Sequence, residues 1–115
     1  MADIKPELGN DICRKAIRKW GMERQLDMCA EECSELIKAL LKYRRHNHDE
    51  DRRVHCVEEA VDLSIMIDQL VILVSSQDEF DRIRRYKLRR LSKMVDGGME
   101  RQTCENSERD AVCEL

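Results

Sequence analysis

Between Asp11 and Val95 the chain contains one glycine, Gly21, and no proline. A stretch that long without helix breakers has few folds open to it. Strands would need turn residues every few positions, and here those residues are missing. Aromatic residues, which favour sheets, number only one Trp, one Phe and two Tyr. Leu, Ile, Val, Met and Cys must therefore fill the interior, and the chain is expected to be all-α. The only proline, Pro6, lies near the N-terminus.

Hydrophobic periodicity divides this stretch into four helices. The first is expected from about Asn10, a good N-cap residue, to Trp20, where Gly21 ends it. The second runs from about Met22 to Tyr43. Leu26, Cys29, Ala30, Cys33, Leu36, Ile37, Leu40 and Leu41 keep the i, i+3, i+4, i+7 spacing of an amphipathic helix. The segment from Arg44 to Arg53 has no hydrophobic residue and reads as a loop or a solvated helix end. Its His46 and His48 are read as loop residues, since no acid or cysteine cluster accompanies them at ligand spacing. The third helix runs from about Val54 to Ser75. From Ala60 to Val74 it is apolar on nearly every side, broken only by Asp62, Ser64, Asp68 and Gln69. Such a helix belongs at the centre of a bundle or between the core and a subunit interface. The fourth helix, from about Gln77 to Val95, combines an apolar side with seven basic residues. Gly97 and Gly98 stop it.

At 115 residues the chain is read as one helical domain, residues 1–96, followed by a polar tail, 97–115, expected to be disordered. A four-helix bundle of this size often completes its core by oligomerising. The tail holds five acids and two arginines, which equals the net charge of −3 for the whole chain, so the rest is balanced. That balance speaks against general nucleic-acid binding, and the basic fourth helix has no interleaved aromatics to stack bases. The longest uninterrupted apolar run, Leu70 to Val74, is far too short to span a bilayer, and no signal peptide is visible. Six cysteines lack CxxC or Cys/His zinc spacing. They are read as free thiols in a reducing cytoplasm, with Cys13, Cys29, Cys33 and Cys56 on or near apolar helical faces.

Chemistry is concentrated in two acidic clusters, Glu31-Glu32-Cys33-Ser34-Glu35 and Glu58-Glu59-Ala60-Val61-Asp62. Glu32 and Glu35, and likewise Glu59 and Asp62, are spaced i, i+3, so each pair projects from one side of its helix. An unpaired carboxylate on so apolar a helix as the third would cost several kcal/mol or stay protonated. Four carboxylates facing one another repel unless a cation lies between them, and a hard divalent ion such as Mg²⁺ is the simplest solution. The rival reading makes Glu31, Glu32 and Glu35 a solvated face paired with Lys38 and nearby arginines. Glu59 and Asp62 resist it, because their helix has little polar surface. A carboxylate-bridged di-iron bundle is set aside, since neither Glu32 nor Glu59 has a His at +3.

The pairing Glu31-Glu32-x-x-Glu35, 23 intervening residues, then Glu59-x-x-Asp62 resembles the signature of the MazG-like all-α nucleoside triphosphate pyrophosphohydrolases. Trp20-Gly21, Gln25-Leu26, EECSELIKALLKYRR and VEEAVDLSIMIDQL extend the likeness to short phage and bacterial members, over roughly Asp11 to Leu91. The resemblance implies that Glu32, Glu35, Glu59 and Asp62 hold Mg²⁺, or Mn²⁺ in its place. It implies that an activated water attacks the α-phosphorus of a nucleoside triphosphate, giving monophosphate and pyrophosphate. Glu32, or else Glu35, would assist that water, with Glu31 and Glu58 as auxiliary acids. Lys87 and Arg90 would contact phosphate, and Gln25 and Trp20 the nucleoside. It further implies a cytoplasmic homodimer or homotetramer acting in nucleotide-pool control. Two alternatives stand beside it: a phosphoribosyl-ATP pyrophosphatase, and a non-catalytic helical interaction or regulatory module.

Overall fold

The computed structural model describes residues 6–97, with side chains from residue 9 onward. It is all-helical, with four helices and no strand among the described residues: α1 (Pro6–Trp20), α2 (Met22–Arg45), α3 (Glu50–Val74) and α4 (Gln77–Val95). The expected tail beyond Gly97, with Cys104 and Cys113, lies outside the described residues.

The helix boundaries follow capping chemistry more than hydrophobicity. α1 begins at Pro6, so Asn10 lies inside the helix and does not cap it. Proline suits a first helical position because no N–H is needed there and its φ is already helical. Gly21 then separates α1 from α2 in a single residue. Its N–H donates to the Ile17 carbonyl at 2.8 Å, closing α1, and its carbonyl accepts from Gln25 N–H at 3.2 Å, opening α2. Its φ of 86° lies in the left-handed region, where a side chain would be strained.

The hydrophobe-free segment Arg44–Arg53 is mostly helical. α2 continues to Arg45, and α3 starts at Glu50. Asp49 accounts for the early start: its Oδ1 accepts from the Arg52 N–H at 2.9 Å, and its Oδ2 pairs with the Arg52 guanidinium. Between the helices only 46–49 turn, with Asn47 and His48 both at φ 56°. The His48 ring meets Tyr43 edge-on at 4.8 Å. A connection this short makes α2 and α3 antiparallel neighbours.

Helices α1 to α3 belong to one compact unit, ending at Val74, and α4 belongs to a second, beginning at Ser75. In the first unit α2 and α3 pack along their length, and α1 lies against both. The buried interior is small: Cys13, Ala39, Met66 and Val71, with two polar residues, Gln25 and Gln69. Large hydrophobic residues remain half in solvent, including Ile37, Leu40 and Leu41 on α2 and Val57, Val61 and Ile65 on α3. In the second unit Ser76 caps α4, its hydroxyl accepting from Glu79 N–H at 3.2 Å, while Asp78 and Glu79 place negative charge in the first turn.

The described cysteines, Cys13, Cys29, Cys33 and Cys56, are free thiols. Cys13 is buried and Cys33 is exposed. No helix among the described residues is long and apolar enough to cross a membrane.

Candidate metal centre

The α2–α3 register can be read from two cross-helix pairs. Gln25 donates to Gln69 at 2.6 Å. Seven residues further along α2 stands Glu32, and seven residues back along α3 stands Asp62. Equal steps in opposite directions bring Glu32 opposite Asp62 and its neighbour on the same face, Glu59. One carboxylate oxygen from each of Glu32, Glu59 and Asp62 lies within 4.8 Å of the others. The Glu59 side chain is 15% exposed. Glu32 is half-buried, and Asp62 is exposed.

Positive charge is scarce around this cluster. Among the described residues no basic group forms an ion pair with Glu32 or Asp62. Glu59 has a histidine beside it, His55 Nε2 at 3.7 Å from Oε1, and the other ring nitrogen of His55 is 3.8 Å from Glu58. The effect appears in Glu32, whose proton affinity is raised above that of an ordinary carboxylate. Burial is the largest cause, followed by the negative charges of Asp62, Glu59, Glu35 and Glu31.

The remaining site residues named from the sequence fall in different places. Glu35 is outside the three-oxygen cluster. Its side chain is 47% exposed and pairs with Lys38 at 3.4 Å, while its charge still reaches Glu32. Glu31 is exposed, and Glu58 is exposed beside His55. Trp20 and Gln25 line a pocket of about 230 Å³ together with Arg24, Met28, Met66 and Gln69. Lys87 and Arg90 lie on α4, in the second unit; Lys87 is exposed and Arg90 is half-buried and engaged in an interaction of its own.

Sequence reasoning missed two residues. Gln69 had a signal, as a polar residue interrupting an apolar helix, but its partner Gln25 is 44 positions away. His55 is one turn before Glu59, and that i, i+4 spacing is visible in the chain once Glu59 is known to matter.

The donor set suits a hard cation. It consists of carboxylate oxygens from two helices with no thiolate among them, which favours Mg²⁺ or Mn²⁺ over softer metals. Octahedral Mg²⁺ places neighbouring ligand oxygens about 2.9 Å and opposite ones about 4.2 Å apart. The three carboxylate oxygens, within 4.8 Å of one another, lie near that spacing. No family model matches the chain, and comparison with curated proteins and with solved structures gives no match either.

Proposed function

We propose that this chain is a Mg²⁺-dependent nucleoside triphosphate pyrophosphohydrolase, converting an NTP or dNTP to its monophosphate and pyrophosphate in nucleotide-pool control. The observation that carries the reading is the convergence of Glu32, Glu59 and Asp62 from two helices with no basic ion-pair partner at Glu32 or Asp62 among the described residues. Burial first, and then the charges of Asp62, Glu59, Glu35 and Glu31, raise the proton affinity of Glu32, and a divalent cation would offset the second of these causes. The resemblance of the two acidic motifs supplies the reaction type.

When bound, Mg²⁺ supplies charge neutralisation for the triphosphate and lowers the barrier to hydroxide-like attack. The protein's part is to position and to move a proton. Water adds to the α-phosphorus, the α–β phosphoanhydride bond breaks, and pyrophosphate leaves with the bonding pair. Glu32, with its raised proton affinity, takes the proton released by the water. Glu35, more exposed and one turn on, passes it to solvent. Glu59 and Asp62 hold the metal from α3, and Glu31 and Glu58 add negative charge at the rim. Lys87 and Arg90 enter as phosphate contacts on the resemblance alone.

The same proposal includes self-association into a homodimer or homotetramer. Four buried apolar residues make a thin core for the first unit, while Ile37, Val57, Val61 and Ile65 stay half-exposed. A second copy covering those residues would supply the missing burial.

The test is pyrophosphate release from a panel of ribo- and deoxyribonucleoside triphosphates, with Mg²⁺ and with EDTA. Mg²⁺-dependent release from one or a few nucleotides is expected. Absence of release, with Mg²⁺ still raising the melting temperature, transfers the reading to phosphoribosyl-ATP. No effect of Mg²⁺ at all leaves the non-catalytic module.

A further inference from the structure

We infer that His55 is a nitrogen ligand to the cation held at Glu59, and that Glu58 positions its ring. The inference rests on the metal-centre reading above and changes the chemistry of that centre. Oxygen donors alone suit Mg²⁺, whereas an added imidazole favours a first-row transition-metal ion.

His55, Glu58 and Glu59 occupy about one turn of α3, at i, i+3 and i+4. That spacing puts both acids on the side of the helix that carries the ring. The imidazole has a carboxylate at each end: Nδ1 is 3.8 Å from Glu58 Oε2, and Nε2 is 3.7 Å from Glu59 Oε1. The two acids are not equivalent. Glu58 is exposed, whereas the Glu59 side chain is 15% exposed and belongs to the three-carboxylate cluster. Metal-binding histidines are usually held in this way, one ring nitrogen on the ion and a carboxylate at the other nitrogen to fix tautomer and orientation. The negative charge of Glu58 favours the proton on Nδ1, which leaves the Nε2 lone pair on the side of Glu59.

Neither distance is that of a hydrogen bond. An ion pair between side chains as exposed as His55, at 48%, and Glu58 contributes little to the fold. A shared cation gives the spacing a use. The 3.7 Å between Nε2 and Oε1 falls between the separations of neighbouring and opposite donors in an octahedral shell, about 2.9 Å and 4.2 Å.

The helix also puts His55 on the correct side. It precedes Asp62 by seven residues, nearly two full turns, so the two project within about 20° of each other around α3. Glu59 stands between them. Side chains on a helix lean toward its N-terminus, so Asp62 leans toward Glu59 and Glu59 toward His55. The ring therefore extends the row of donors on the face turned to α2. The other two histidines, His46 and His48, lie in the turn before α3.

Mn²⁺ is the probe, because its unpaired electrons report a coordinated nitrogen. The experiment titrates the full-length, metal-free protein with Mn²⁺ and separately with Mg²⁺, then records the electron spin echo of the Mn²⁺ complex. Mn²⁺ should bind about tenfold or more tightly than Mg²⁺, and its echo should carry nitrogen modulation. His55→Gln should remove the modulation and weaken Mn²⁺ about 10- to 100-fold, with Mg²⁺ affinity little changed. Glu58→Gln should keep the modulation and weaken Mn²⁺ severalfold; unchanged Mn²⁺ affinity there would overturn its positioning role. The double variant His46→Gln/His48→Asn leaves His55 in place and should keep the modulation, so the assignment does not depend on His55→Gln folding. Mn²⁺ binding without nitrogen modulation would overturn the inference and leave the carboxylate centre standing, as would modulation lost with His46 and His48 and kept in His55→Gln. No binding of either ion would defeat the centre itself, and this inference with it.

Discussion

Glu32 on α2 and Asp62 on α3 bring carboxylate oxygens within 4.8 Å of each other, and neither forms an ion pair with a basic residue among the described ones. Like charges at that distance raise the free energy of the fold whenever both are ionised. A cation between them would relieve that repulsion, which is the role proposed for the cluster.

Glu59→Gln removes one of the three carboxylates and keeps the side chain's shape. Mg²⁺-dependent turnover should fall by more than about 100-fold. The metal-free variant should keep its helicity and melt no lower than the parent, because a repulsion has been removed. Circular dichroism melts with and without Mg²⁺, beside the pyrophosphate assay, check both halves. A variant that keeps most of its rate would take Glu59 out of the site.

Stability should depend on pH through Glu32. Its proton is held more tightly in the fold than the usual carboxylate value of 4.5 allows, by burial first and then by its acidic neighbours. A native state that favours the protonated form is stabilised below that usual value, and the stabilisation is lost as pH rises through the raised one. Metal-free protein should therefore lose stability over that window as pH increases, and Glu32→Gln should flatten that part of the profile. Mg²⁺ must displace the proton, so the rise in melting temperature that it produces should grow with pH across the same window. Denaturant titrations at several pH values measure the slope.

The turn between α2 and α3 has the opposite sign. Arg52 holds the Asp49 carboxyl below its ordinary range, through the backbone hydrogen bond first and the guanidinium second. That contribution is present above the unfolded pKa and is lost as pH falls through the lowered one. Asp49→Ala should lower the melting temperature at neutral pH, and the two proteins should converge in acid.

How much of this was legible in the sequence depends on whether a feature is local. Helix content was legible because Gly21 alone interrupts the stretch from Asp11 to Val95, and no helix breaker is needed elsewhere until the turns. The boundaries at Pro6, Arg45 and Glu50 were not, because polar residues such as those of Arg44–Arg53 can be helical once Asp49 caps them. The acid pairs were legible, since i, i+3 spacing is a property of one helix. Their grouping into Glu32, Glu59 and Asp62, with Glu35 turned to Lys38, depends on the α2–α3 register, which periodicity within a single helix does not carry. The same register hid the Gln25–Gln69 bond.

Self-association should respond to charge on the half-exposed apolar residues. Val57→Glu or Ile37→Glu should shift the protein toward monomer in sedimentation velocity and lower its melting temperature, since each residue is more than half exposed in the single chain. An unchanged sedimentation coefficient in both variants would show that these residues are not covered by a second copy.

The most direct measurement is a calorimetric titration of Mg²⁺ into metal-free protein, run in parallel on the parent chain and Glu59→Gln. Saturable binding in the parent, lost in the variant, is the expected result. No binding in the parent, or equal binding in both, would contradict the assignment of Glu32, Glu59 and Asp62 as a metal centre.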